Sequence, residues 1–234
     1  MSGHSKWATT HRQKAVVDAK RGAAFTKLGN MIAIAARGGT DPTTNSSLAL
    51  AIEKARAANM PNANIQRAID RINDKNAAAL EEAVYEGYGP GGVGIIIETA
   101  TDNKNRTYPE VRTALTKNGG TMADSGSVMF QFARKGVIRV AASGEEALLT
   151  VLDAGAEDAT EEDGGLTVYT DKKELAKVRE ALLAAGMTVE DAELQYVPNN
   201  TVAIEDDEVA RKLTKIIDAL EALDDVTNVA TNAA

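Results

Sequence analysis

The apolar residues hold helical spacing up to about residue 80 and first take strand spacing there, and that change limits the folds open to this chain more than any other feature. Before it, Phe25, Leu28, Ile32, Ala35 and Ala36 recur every three or four residues, as do Leu48, Ile52 and Ala55, and then Ile65, Ala68, Ile69 and Ile72. That is the period of amphipathic helices. Arg37-Gly38-Gly39 closes the first helix, Asp41-Pro42 opens the second and Pro61 the third, so the spacing predicts a three-helix bundle ending near Lys75. One unbroken helix from Lys14 to Arg37 would set Lys14 and Arg21 on the face of Phe25, Leu28 and Ile32. Either the helix breaks near Gly22, or its first turns overhang the bundle; both leave a basic N-terminal arm exposed.

From Val84 the pattern is that of strands. Residues 93–97 read as a buried strand and Ser127–Phe132 as another, with a helix between them that opens on the capping-box pair Thr107 and Glu110 and ends at Asn118-Gly119-Gly120. Residues 137–140, 145–153, 156–162, 166–170, 171–185 and 188–197 read as βαββαβ, the order of a ferredoxin-like split βαβ. A short strand at Thr201–Ile204, a helix carrying Val209, Leu213, Ile216, Ile217, Leu220 and Leu223 on one face, and a strand at Val226–Val229 close the chain. These last elements need partners, and the 84–132 segments lack a second helix and strand. The expected fold is therefore α+β with three domains: a helical head over 1–78, a discontinuous α+β module over 79–135 and 201–234, and a ferredoxin-like module over 136–200 inserted in it.

Charge is divided the same way. The net charge of −8 hides a head, residues 1–76, with 12 Lys plus Arg against 5 Asp plus Glu, and a remainder with 14 against 29. The head is thus +7 and the body −15. Phosphate repels a uniformly acidic protein but not one with a basic end, so this split points to one end meeting an anionic surface. Hydrophobic residues make up 44% of the 234-residue chain, enough for a packed core, and no apolar run approaches membrane-spanning length. Without cysteine there is no disulfide framework, thiolate metal site or thiol nucleophile. A cytoplasmic protein is expected.

Catalytic patterns are weak. Gly89-Pro90-Gly91-Gly92-Val93-Gly94 satisfies G-x-G-x-x-G, but a strand follows it where a dinucleotide site needs a helix N-terminus, so it reads as a turn. No serine, histidine and carboxylate arrangement is visible, His4 and His11 make an incomplete metal site, and Glu157, Asp158, Glu161, Glu162 and Asp163 read as a solvated acidic hairpin. The expectation is a protein that is not an enzyme and needs no cofactor or metal. Gly3-His4-Ser5-Lys6-Trp7 places the chain's one tryptophan beside a lysine in the arm, which suits base stacking with phosphate contact, or equally an anchor that pins the arm to the bundle. The turn Asp102-Asn103-Lys104-Asn105-Arg106-Thr107 offers amide, guanidinium and backbone donors that could hold a phosphate, although plain turn and cap chemistry also accounts for it.

The segments GHSKWATTH, AKRG with FTKL, KARAANMP, YEGYGPGGV, TDNKNRT, SGSV with RKG, AGAED and IIDALEALDDVTNV, in that order, closely resemble the YebC family. The resemblance covers the chain from its first residues to its last strand. It implies a helical head with two α+β modules and a regulator of gene expression that binds nucleic acid, described either as a DNA-binding transcriptional regulator or as a ribosome-associated translation factor that relieves stalling at proline runs. One departure is the run Thr10-His11-Arg12-Gln13-Lys14, less basic than the family's usual arm. The candidate contacts are His4, Lys6, Trp7, His11, Arg12, Lys14, Lys20, Arg21 and Lys27 in the head, with Lys104, Asn105 and Arg106 in the turn. Ribosomal RNA is the favoured partner, since no helix-turn-helix with an evident recognition surface stands out. DNA is the alternative, and a small-molecule-sensing module the remote third.

Overall fold

The head forms helices where the apolar spacing places them, and polar caps decide where each begins. The computed structural model describes residues 19–74, 78–162 and 164–234, with backbone only for 19–21. α1 (Ala19–Ala35) continues into a 3-10 turn and stops at Gly39, whose φ of 132° is open to glycine alone. α2 spans Ser46–Ala57 and α3 spans Asn62–Asp70. Leu28, Ile32, Ala36, Leu48, Ile52, Ala55, Ile65 and Ile69 meet in one buried cluster, with Met60 from the α2–α3 turn.

One open choice in the head is decided and two expectations need correction. α1 runs unbroken through Gly22, where an added Cβ would meet nothing within 4 Å, so the helix overhangs its neighbours there instead of breaking. Asp41 does not open α2: its carboxylate accepts from Thr43 N (2.9 Å) and Thr43 Oγ1 (2.7 Å), closing a turn. The cap is Asn45, which accepts from Leu48 N at 3.1 Å and donates to the carbonyls of Ala35 (2.8 Å) and Gly39 (2.7 Å), tying two helix ends together. Ile72 is 41% exposed, because Arg71–Asn73 tighten into a 3-10 turn whose repeat of three carries it off the apolar stripe.

Beyond the head come β1 (Glu81–Tyr88), a turn, β2 (Gly94–Thr101), α4 (Lys104–Lys117) and β3 (Thr121–Ala123). Gly91 and Gly92, at φ 76° and 78°, make the turn between the paired strands β1 and β2. A second set follows: β4 (Phe132–Val140), α5 (Glu145–Asp153), β5 (Asp158–Glu162), β6 (Gly165–Asp171), α6 (Leu175–Ala184) and β7 (Val189–Pro198). The chain ends in α7 (Asp207–Glu221), capped by the Asp206 carboxylate, and β8 (Val226–Thr231).

Residues 132–199 form one compact unit, and the described residues up to 131 together with 200–234 form the other. In the first, an antiparallel sheet of order β5-β6-β4-β7 carries Val137, Val140, Leu166 and Val168 among its buried residues, with Leu175, Val178 and Leu182 from α6. In the second the order is β3-β1-β2-β8. Ile95 and Ile97 on one face of that sheet pack with Val111 and Leu115 of α4 and Leu213, Ile216 and Leu220 of α7. Val202 and Ile204 extend this end through backbone hydrogen bonds with residues 232 and 234. The fold is α+β, and among the described residues no helix is long and apolar enough to cross a membrane.

Ser127–Phe132 is not a strand. Ser127 closes a turn on Asp124, Met129–Gln131 form a 3-10 turn, and β4 begins only at Phe132. The cause is Glu86 on β1, which is 4% exposed and accepts from the amides of Gly126 (2.6 Å), Val128 (2.7 Å) and Met129 (2.8 Å). Amides that converge on one carboxylate cannot serve a strand ladder. Nor does Thr107 begin the helix after β2: Asn103 caps α4 by accepting from Arg106 N at 3.2 Å, and Thr107 is buried one turn inside.

Candidate nucleic-acid interface

The candidate residues divide into three groups by location. His4, Lys6, Trp7, His11, Arg12 and Lys14 lie outside the described residues. Lys20 and Arg21 lie in the first turn of α1, beside the overhang at Gly22. Lys27, Lys104, Asn105 and Arg106 lie in the body of the described structure, where their partners are visible.

Lys27 is half-buried, and its Nζ donates to the Glu221 carbonyl at the C-terminal end of α7. Burial pushes its ammonium below the ordinary lysine range, against the opposing pull of the Glu221 and Asp224 charges. A cation at a helix C-terminus is favourably placed there, so Lys27 ties the head to α7. Arg71, in the 3-10 turn after α3, bonds Asn30 Oδ1 at 3.3 Å and approaches Asp102 at 3.8 Å.

The turn before α4 is bound to its own fold. Arg106 Nη2 donates to both carboxylate oxygens of Asp225 (3.1 and 2.8 Å) and to Asp102 Oδ1 (3.1 Å). Asp225 also accepts from Thr107 Oγ1 (2.6 Å) and Thr101 Oγ1 (3.0 Å), while Thr101 Oγ1 accepts from Asn103 N at 2.9 Å. Asp225 is 7% exposed. Burial alone would raise its carboxyl pKa, but the bonds from Thr107, Arg106 and Thr101 together outweigh it and hold the group below the usual aspartate range. Lys104 pairs with Glu81 at 2.6 Å, and Asn105 stays exposed. Of the donors expected to hold a phosphate, Lys104 and Arg106 thus have internal acceptors, Arg106 most completely.

The N-terminal domain model of TACO1/YebC proteins matches residues 5–75, and the model of their second and third domains matches residues 80–233. The chain belongs to the TACO1/YebC family. Relatives named probable transcriptional regulatory protein include one from Moorella thermoacetica, 51% identical with 100% of this chain and 95% of the relative covered. Another, from Salinispora tropica, is 50% identical over 99% of this chain and 95% of its own length. The crystal structure of a conserved hypothetical protein from Aquifex aeolicus superposes with a TM-score of 0.88 at 43% identity, covering 94% of this chain and 93% of that one.

Among the described residues of this TACO1/YebC fold the two buried carboxylates, Glu86 and Asp225, are the residues that sequence reasoning missed. Each joins two of the segments that carry the family resemblance. Glu86 of YEGYG holds the loop that begins SGSV, and Asp225 of the closing segment holds the threonines and arginine of TDNKNRT. The available signal was a carboxylate inside a strand pattern, Glu86 between Tyr85 and Gly87. No group of three or more His, Asp or Glu suited to a metal ion occurs among the described residues.

Proposed function

We propose that this protein is a cytoplasmic, non-enzymatic translation factor that grips ribosomal RNA through its head and relieves stalling at proline runs. The observation that carries this reading is the division of charge, +7 over residues 1–76 against −15 over the rest. A basic end supplies sequence-independent attraction to phosphate, and an acidic body limits coating of nucleic acid elsewhere. The geometry adds support, since Lys27 and Arg106 are occupied within the fold and the remaining candidate cations, Lys104 apart, belong to residues 6–21. The division into a head (1–78), a discontinuous module (79–135 with 201–234) and an inserted module (136–200) is part of the proposal, with the head as the gripping element.

A second reading, DNA-binding transcriptional regulation, is favoured by the names of the relatives. Against it, α3 is a nine-residue helix whose Arg67 bonds Asn64 and whose neighbour Arg71 bonds Asn30, leaving little to read base edges.

One experiment separates the two readings. Co-sedimentation with ribosomes and binding to duplex promoter DNA are measured at the same moderate salt, for the full chain and for Lys6→Ala with Trp7→Ala. Ribosome binding that weakens in the double variant at unchanged melting temperature supports the proposal. DNA binding tighter than ribosome binding refutes it. A lowered melting temperature at unchanged affinity would make Trp7 an anchor.

A further inference from the structure

The acidic body carries one surface with the opposite character. Residues 104–117, which form α4, contain four cations, Lys104, Arg106, Arg112 and Lys117, against the single acid Glu110. Arg106 is committed to Asp225, but Lys104, Tyr108 and Arg112 follow one another at intervals of four and share one flank of the helix. All three are exposed, Tyr108 at 44%. At 1.5 Å rise per residue the flank spans about 12 Å. This flank lies over β1, where the Tyr85 and Tyr108 ring centres are 6.0 Å apart at 56°.

Two further features make this a track. Glu81 pairs with Lys104 at 2.6 Å, and Arg37, in the 3-10 turn after α1, donates to the adjacent Leu80 carbonyl at 3.0 Å. Arg37 of the head and Lys104 of the body thus meet the adjacent residues Leu80 and Glu81, and Arg112 lies two turns along α4 from Lys104. In addition, β3 pairs only with Glu86–Tyr88, so among the described residues the outer edge of 81–85 is not covered by a neighbouring strand. An exposed aromatic ring between cations, continuous with a basic domain, is the composition of single-strand binding surfaces.

We propose that this flank, Arg37–Lys104–Tyr108–Arg112, continues the head's interface as a track for single-stranded RNA, with Tyr108 as a base-stacking platform. The inference rests on the RNA-binding reading above and extends it to a second contact on the body. It fits RNA segments whose bases are unstacked, because a duplex presents no base face to a tyrosine ring.

The test uses the full chain and a fluorescent 15-nucleotide oligouridine, read by anisotropy at two salt concentrations, with photocrosslinking through 4-thiouridine. Tyr108→Leu, which keeps apolar bulk, should weaken binding roughly tenfold, while Tyr108→Phe stays near wild type. Arg112→Gln should weaken binding and reduce its salt dependence. Crosslinks should map to residues 104–112 as well as to the head. Wild-type binding with unaffected Tyr108→Leu and Arg112→Gln, or crosslinks confined to the head, overturns the track and leaves the RNA reading standing. Failure of the wild-type chain to bind the oligonucleotide or ribosomes overturns both. An unstructured peptide that binds this face, with RNA affinity unchanged in the variants, would make the open β1 edge a protein-docking site and also overturn the track.

Discussion

Replacing Glu86 by glutamine tests whether one buried carboxylate shapes the loop between β3 and β4. The substitution keeps size and shape but leaves a single acceptor oxygen. That oxygen can stand where Oε2 stands and keep the amides of Val128 (2.7 Å) and Met129 (2.8 Å), which turns the new NH2 toward the Gly126 amide. An unpaired buried amide costs about 1–3 kcal/mol. Gly126 is exposed and its amide can turn to water, so the lower end, about 1 kcal/mol, applies. Exchanging two charge-assisted bonds for neutral ones adds ~1 kcal/mol. The expected loss is about 2 kcal/mol, or ~4–8 °C in Tm for a chain of this size. The assays are urea unfolding of the full chain and hydrogen exchange at Val128 and Met129, which should quicken.

Acidity supplies a second axis for the same variant. Burial opposes ionisation of Glu86, but the three amides outweigh it and hold the carboxyl below its ordinary value of 4.5. A depressed carboxyl contributes stability that is present above the unfolded pKa and is lost as pH falls through the folded one. The gap between wild type and Glu86→Gln should therefore be full at neutral pH and shrink below about pH 4. A loss under ~0.5 kcal/mol with unchanged exchange would refute the reasoning, since it would mean that the loop holds its shape without charged acceptors.

Two other substitutions probe the rest of the frame. Asp225→Asn removes the charge that Thr101, Thr107 and Arg106 converge on, and should cost about 1.5–3 kcal/mol in urea unfolding at neutral pH, with the deficit fading as pH drops below the ordinary aspartate range. An unchanged midpoint would show that the cluster is incidental. Gly136→Ala in β4 would drive a methyl group into the Thr170 hydroxyl and to 2.9 Å from Leu175 Cβ, and should lower stability by ~1–3 kcal/mol. An unperturbed Tm would mean that α6 can lift off the sheet freely.

Periodicity and charge by themselves determined the element types and the polarity of the molecule. The period-3.6 pattern marked the helices of the head and alternating apolar residues marked β6 and β7, because a single buried face repeats along an element whatever it packs against, while a continuous apolar run marked the doubly buried β2. The G-x-G-x-x-G match read correctly as a turn, since the next residues were visibly strand. The α+β class followed from the order of those patterns. Basic and acidic ends were legible because formal charge adds along the chain without reference to the fold.

Tertiary structure decided what each polar residue does. Thr107 looked like a helix cap because its local spacing fits one, yet Asn103 caps α4 and Thr107 turns inward to Asp225, more than 100 residues away in sequence. Ser127–Phe132 looked like a strand because its apolar residues suit one, yet Glu86 draws its amides out of any ladder. Lys27 and Arg106 looked like phosphate ligands, and the folded chain gives them the Glu221 carbonyl and the Asp225 carboxylate. Burial of an apolar face is a property of one segment and shows in its period. A buried hydrogen bond needs two partners in register, and which distant group completes the pair is fixed only when the chain has folded.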